Sequence, residues 1–185
     1  DMLGPQATQV GAINALARNS QGHWSGEIFD GLGCVEGFRR RGLTLRGRRI
    51  MLIGLGGAGA AICAAVAGEA PAFMRLFDLD PARCERLAAV VRHLSPSTQV
   101  EIAPASVVGV DVLMNASPVG MLTDARLPLA VDSLPSNLIV FDAIVKPEQT
   151  PLLSLAQASG CTVVQGREMM RGQIAKLVDY FNRPT

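Results

Sequence analysis

The sequence predicts an α/β protein built on a doubly wound, parallel, six-stranded sheet, and three observations carry that expectation. The run Ile50 to Ile53, bounded by Arg49 and Gly54, is apolar throughout, as a strand must be when both its faces are dry. Gly54, Gly56 and Gly59 follow at G-x-G-x-x-G spacing and open an alanine-rich helix, Ala58 to Ala67. Beyond them, strand-like and helix-like stretches alternate with short turns between. The sum is a Rossmann-type fold, with its ligand crevice at the carboxyl ends of the strands beside the glycine loop.

The elements read in order as follows. Gly11 to Arg18 reads as a strand, Asn19 to Gly22 as a turn, and His23 to Ile28 as a returning strand. Asp30 stands where a helix can begin, and Leu32, Val35 and Phe38 give 31–41 a helical spacing that Gly42 ends. Leu43 to Arg49 is a linker into the glycine-loop strand. Then come a strand at Phe73 to Phe77 and a helix from Pro81 to Leu94, with proline in its first turn. Strands near Gln99 to Ala103, Val110 to Met114 and Leu138 to Phe141 follow. Leu152 to Ser159 is a helix, Thr162 to Val164 a strand, and Glu168 to Phe181 a last amphipathic helix. There is no internal repeat and no low-complexity segment.

The glycine positions have separate physical reasons. Gly54 permits the tight turn, Gly56 lets backbone approach a diphosphate, and Gly59 lets the helix pack closely on the strand. Gly57 and Ala58 supply the first amides of that helix, whose unpaired N–H groups and positive dipole end favour phosphate. Asp78 closes the next strand 19 residues after Gly59, where a carboxylate can accept hydrogen bonds from both ribose hydroxyls of an adenosine. A 2′-phosphate there would face the carboxylate, at a cost of roughly 4 kcal/mol for unit charges 4 Å apart at an effective dielectric of about 20. Leu79 supplies no offsetting cation, so the expected cofactor is NAD rather than NADP. The competing reading has Asp78 and Asp80 both capping the Pro81 helix. Asp80 fits that role as the N-cap, which leaves Asp78 for the ribose.

Composition excludes several classes. The chain has 185 residues, enough for one good core or one domain plus part of another, and 49% of them are hydrophobic. A net charge of +1 gives no electrostatic reason to expect nucleic acid or anionic membrane. The arginines at 39–41 and 46–49 lack interleaved aromatics and read as a solvated helix end and linker. No apolar run reaches membrane-span length and the start has no signal-peptide pattern, so a cytoplasmic setting is expected. Cys34, Cys63, Cys84 and Cys161 are far apart, which points to reduced thiols and no metal site. His23 and His93 are isolated. A chain beginning at Asp1 and running soon into a strand reads as lacking an upstream piece.

Three further segments complete a pattern: Asn115-Ala116-Ser117-Pro118-Val119-Gly120-Met121; Asp142 to Pro147 with Thr150-Pro151-Leu152-Leu153; and Gly166 through Met170 to Gln173. With Gly11-Ala12-Ile13-Asn14 and the glycine loop, they resemble the shikimate/quinate dehydrogenase family, in the right order over nearly the whole chain. The resemblance implies hydride transfer between a nicotinamide and a ring alcohol, in a two-domain enzyme with the active cleft between domains. It assigns 1–42 to the C-terminal remnant of an N-terminal α/β substrate domain and 43–166 to the NAD-binding domain. The segment 167–185 becomes a helix returning to the substrate domain. By resemblance Asn14, Asp30 and Gln173 hold substrate hydroxyls, and Asp30 is half of a catalytic Lys–Asp pair. Ala143, Gly166 and Met170 border the nicotinamide, and Asn115-Ala116-Ser117 lie beneath the cofactor. The chemistry agrees: oxidising a secondary alcohol needs a base in reach of its O–H. The plainer alternatives are Asp30 as a helix N-cap, Asn14 as an ordinary strand residue, Gln173 as a surface amide, and Met169 and Met170 as core packing.

The chain also departs from that pattern. The family's catalytic lysine and the serine motif that grips the substrate carboxylate fall upstream of Asp1, and Lys146 and Lys176 match neither. The usual Asn-Thr-Asp reads Ile28-Phe29-Asp30, the usual tyrosine is Val145, and the usual Asn-Arg-Thr is Asp78-Leu79-Asp80. Each of the first two swaps removes hydrogen-bonding capacity, which weakens discrimination for the hydroxyl once held there. The expected substrate is therefore a small polyol acid: quinate, a modified shikimate or a relative. The reading places the protein beside aromatic amino acid biosynthesis, admits a homodimer, and expects no nucleic-acid or membrane partner. The alternative is a non-catalytic NAD-binding or sensor module derived from the same family. Asn14, Asp30 and Gln173 favour the enzyme; Ile28, Phe29 and Val145 favour the module.

Overall fold

A computed structural model describes residues 2–182; Asp1 and 183–185, the outer ends of the first and last expected segments, lie outside the described residues. Six strands form the larger sheet: β4 (Arg49–Ile53), β5 (Phe73–Phe77), β6 (Gln99–Ile102), β7 (Val112–Asn115), β8 (Ile139–Asp142) and β9 (Thr162–Val164). All pair in parallel, in the order β6-β5-β4-β7-β8-β9. The order reverses at β4, which opens a crevice beyond its carboxyl end.

The pleat explains the apolar run in β4. Ile50 and Leu52 face one layer, packed against α2 (Asp30–Arg40), α3 (Gly57–Gly68) and α4 (Pro81–Leu94). Met51 and Ile53 face the other, against α5 (Pro151–Ala158) and the loop residues Leu129 and Leu134. A parallel strand covered on both faces has no polar side to show.

A smaller sheet, ordered β1-β3-β2, joins β1 (Met2–Leu3), β3 (Trp24–Glu27) and β2 (Ala15–Arg18). Tyr180 of α6 (Gly166–Phe181) covers one of its faces, with Ala15 and Phe29, and its hydroxyl donates to the Ser25 carbonyl at 2.6 Å. Leu3, Leu16 and Trp24 lie exposed on the other.

The fold class agrees with the sequence, and three expectations need correction. Gly11 to Arg18 is not one strand: a six-residue helix, α1 (Pro5–Val10), precedes it, and Gly11 at φ 73° ends that helix, so the strand begins only at Ala15. Proline at N1 with Gly4 as N-cap is the helix-start signal the sequence carries here. The alternation of strands and helices also lapses, because 103–111 and 116–138 cross between strands as loops. There the loop's own apolar residues cover the sheet in place of a helix. The strand expected from Val110 starts at Val112, because Asp111 accepts the Arg49 amide at its edge.

Candidate functional site

The register sets the site. Ile53 stands opposite both Phe77 and Asn115, and Asn115 opposite Asp142, so Gly54, Asp78, Ala116 and Ala143 emerge side by side at one sheet edge.

Gly54 takes φ 87°, a conformation that disfavours side chains, and a Cβ there would strike the Ala116–Ser117 backbone. A Cβ on Gly59 would strike the Gly54 carbonyl oxygen, which is the close helix-to-strand approach expected of it. Gly56 differs, since a Cβ on it would meet nothing within 4 Å. It is the N-cap of α3 and offers no side-chain capping bond. The first amides of α3, at Gly57, Ala58 and Gly59, have no intrahelical acceptor and point out of the helix mouth. Open space in front of uncapped amides fits a diphosphate.

Asp80 is the N-cap of α4, accepting from the Ala82 amide at 2.9 Å as expected. Asp78 has internal partners of its own. Its carboxylate accepts from the Leu55 amide at 2.6 Å and the Asp80 amide at 2.9 Å, fixing the glycine loop to the end of β5. Arg83, one helical turn into α4, brings its guanidinium to 3.6 Å from Asp78 and 3.4 Å from Asp80. A cation is thus supplied from five residues away, although Leu79 supplies none. Gly54, Gly56, Asp78, Arg83, Ser117 and Arg126 line one pocket here.

On the other side of β4 lies a buried polar network. Asn115 is fully buried; its side-chain amide donates to Asp142 at 3.1 Å and its carbonyl oxygen accepts from the Ser117 amide and hydroxyl at 3.0 and 2.7 Å. It therefore shapes the loop under the crevice rather than facing into it. Asp142, also fully buried, accepts from the Thr150 hydroxyl at 2.7 Å and the Ile144 amide at 3.1 Å. Burial pushes the Asp142 carboxyl up to about 6, against the pull of these three donors. Gly166 packs so closely on the Ala143 and Ile144 carbonyls that a Cβ would collide with both. Asp142 and Thr150 enter the sequence pattern only as members of the family-like segments, with no side-chain task attached to either. A carboxylate closing an all-apolar strand was the available signal.

Asn14, Asp30 and Gln173 come from a loop, α2 and α6, and meet. The Asn14 side-chain amide donates to Asp30 at 3.0 Å and to the Gln173 oxygen at 3.1 Å, and Gln173 donates to the same Asp30 oxygen at 3.3 Å. Asn14 also accepts from the Phe29 amide at 3.0 Å, so it is a node rather than a plain strand residue. Gln173 is buried at 2% exposure, not a surface amide. Asp30 is not the N-cap, a position held by Phe29 without a side-chain bond. Burial raises the Asp30 carboxyl above its ordinary value, and hydrogen bonds from Gln173 and Asn14 oppose the rise. Met169 is core, whereas Met170 is exposed, its sulfur accepting from Gln173 at 3.4 Å. Ile28 and Phe29 turn inward, Phe29 meeting Tyr180 edge-on at 5.5 Å, and Val145 is exposed.

All four cysteines are free, with burial pushing their thiols up. Among the described residues no cluster of His, Cys, Asp or Glu could hold a metal, and no helix is long and apolar enough to cross a membrane.

No protein-family model matches the chain. It is 31% identical over 180 residues to the shikimate dehydrogenase (NADP(+)) of Rhodospirillum rubrum, which covers 94% of this chain and 63% of that protein. Among solved structures, shikimate 5-dehydrogenase from Listeria monocytogenes, in complex with shikimate and NAD, superposes with a TM-score of 0.85 at 28% identity. Quinate dehydrogenase from Corynebacterium glutamicum, in complex with NAD, does so with a TM-score of 0.85 at 27% identity. Each match covers 98% of this chain and 66% of the other. The chain thus spans just under two thirds of the length of these relatives.

Proposed function

We propose that this chain, a homologue of the shikimate and quinate dehydrogenases over most of its length, is the cofactor-binding part of an NAD-dependent oxidoreductase acting on a ring alcohol of a small polyol acid. The division into 1–42, 43–166 and 167–185 belongs to the same proposal, as does a soluble, cytoplasmic setting. The observation that supports it most is the Asn14–Asp30–Gln173 triad. Three segments distant in sequence meet around one half-buried carboxylate.

The residues have distinct tasks in this reading. The amides of Gly57, Ala58 and Gly59 hold the diphosphate, and Gly56 leaves it room. Asp78 takes the adenosine ribose with the acceptor capacity its three internal partners leave. Arg83 weakens the penalty against a 2′-phosphate, so NAD is favoured over NADP by less than an unpaired carboxylate would impose. When bound, the nicotinamide supplies the hydride acceptor or donor. Asp30 holds the reacting side of the substrate, and its raised carboxyl makes it a better proton acceptor near neutrality than an exposed aspartate. Asn14 and Gln173 orient Asp30, and Ala143, Gly166 and Met170 border the ring.

Calorimetry with NAD and NADP on residues 1–185 tests the first half, with uptake of NAD at lower concentration expected. Turnover of shikimate or quinate should appear only in a longer polypeptide that includes the upstream lysine implied by the family. Higher kcat/KM with NADP, or ordinary rates from the present chain, would overturn the reading. The inward packing of Ile28 and Phe29 favours the second reading, an NAD-binding module without chemistry. That module would bind NAD equally well and leave both acids untouched at any length.

A further inference from the structure

We propose that Asp142 is a positioning residue that ties together the loops beneath the half of the crevice opposite Asp78, and so selectively supports binding of the second nucleotide of a dinucleotide. The inference rests on the reading that this crevice takes a dinucleotide.

Strand order places two halves either side of β4: β5 with Asp78 on one, β7 and β8 on the other. In such a sheet each half takes one mononucleotide. Three segments of the second half converge on the Asp142 carboxylate. One oxygen takes the side chain of Asn115, which through Ser117 fixes the loop after β7, and also the Ile144 amide, which fixes the loop after β8. The other takes the hydroxyl of Thr150, itself the N-cap of α5 through the Leu153 amide at 3.2 Å. The Ala143–Ile144 backbone so held forms the bed for Gly166 at the start of α6. None of these bonds reaches Asp78, Arg83 or the amides at the mouth of α3. An ionisable group in a fully buried position, supplied with a partner from every loop around it, does more than fill space. Apolar side chains of the same volume would pack there without orienting anything.

The test compares two probes, NAD and ADP, by calorimetry on the parent chain and on Asp142→Ala, Thr150→Val and Thr150→Ser, with thermal unfolding in parallel. ADP engages the α3 mouth and the Asp78 side, which the loop after β7 also borders through Ser117, whereas Thr150 does not line that pocket. Removing a partner from a buried hydrogen-bonded group should raise the dissociation constant for NAD about tenfold or more, leaving that for ADP within about twofold. Thr150→Ser keeps the hydroxyl and should bind both as the parent does. Thr150→Val keeps the proposal testable if Asp142→Ala does not fold. A parallel loss of NAD and ADP, or no loss of either, would overturn the proposal while leaving the dinucleotide reading standing. A parent that binds neither probe would bring both down.

Discussion

The two sheets solve the same burial problem to different degrees. The six-stranded sheet has helices or apolar loops on both faces, and its central strands show no exposed side chain after Arg49. The three-stranded sheet is covered on one face by Tyr180 and its neighbours, while Leu3, Leu16 and Trp24 stand 58%, 50% and 43% exposed on the other. A parallel sheet fed by crossovers covers itself as the chain winds. The small sheet has β1 and β2 at its edges, and among the described residues Leu3, Leu16 and Trp24 leave its second face open. Substitutions should therefore be felt in proportion to how completely each site is enclosed.

The sharpest contrast lies at the glycine loop. Gly59→Val places a branched side chain against the Gly54 carbonyl, which as backbone cannot yield, with the Ala116 methyl next in line. A loss of about 3 kcal/mol or more is expected in urea unfolding. Gly57→Ala meets only the Ala12 methyl, at 3.6 Å, and should stay within about 1 kcal/mol of the parent. Equal losses from the two would mean that the mouth of α3 is not held as tightly as its geometry indicates.

Asp142 tests the same enclosure by charge. An aspartate titrates near 3.9 in the unfolded chain, and burial lifts Asp142 to about 6 when folded. Between those values the folded protein binds more protons, so through this residue stability rises as pH falls from about 6 to about 4. Above the folded value the ionised carboxylate costs the fold on the order of 2–3 kcal/mol relative to an ordinary aspartate. Asp142→Asn should flatten that component when urea midpoints are compared from pH 4.5 to 7.5. If parent and variant run parallel across that range, Asp142 is already neutral or is reached by water.

How much of this was legible in the sequence follows the same division. The Phe73–Phe77 and Thr162–Val164 strands and the Pro81–Leu94 helix coincide with the expected bounds, because proline, an aspartate cap and short runs rich in aromatic and β-branched residues leave little choice. Where burial is partial the signals weaken. Helix α1 has six residues and no amphipathic period to read, and its N3 amide at Ala7 is satisfied by Glu27, twenty residues away. Family resemblance alone singles out Asn14, Asp30 and Gln173 in the sequence, whereas their mutual bonds depend on α6 lying across α2. Arg83 is not legible as a partner of Asp78 from the residue next to it, Leu79, because the pairing depends on where α4 begins. Arg83 is the third residue of α4 and turns back from the helix start to the end of β5, 3.6 Å from Asp78.

The smallest effects should separate the two faces of the small sheet. On the covered face, Tyr180→Phe removes a hydroxyl that lies 3.0 Å from the Ser25 hydroxyl and donates to the Ser25 carbonyl, at an expected cost of about 1 kcal/mol. On the other face, Leu16→Lys exchanges one half-exposed side chain for another whose stem can lie along the sheet, and should change stability by less than about 0.5 kcal/mol. The same pair made in a longer polypeptide sharpens the comparison. If additional chain covers this face, Leu16→Lys must bury or displace an ammonium group and its cost should overtake that of Tyr180→Phe. An unchanged ranking in both lengths would mean the face stays open to water in the longer polypeptide as well. Trp24 and Leu3 would then be surface residues in their own right rather than half of an interface.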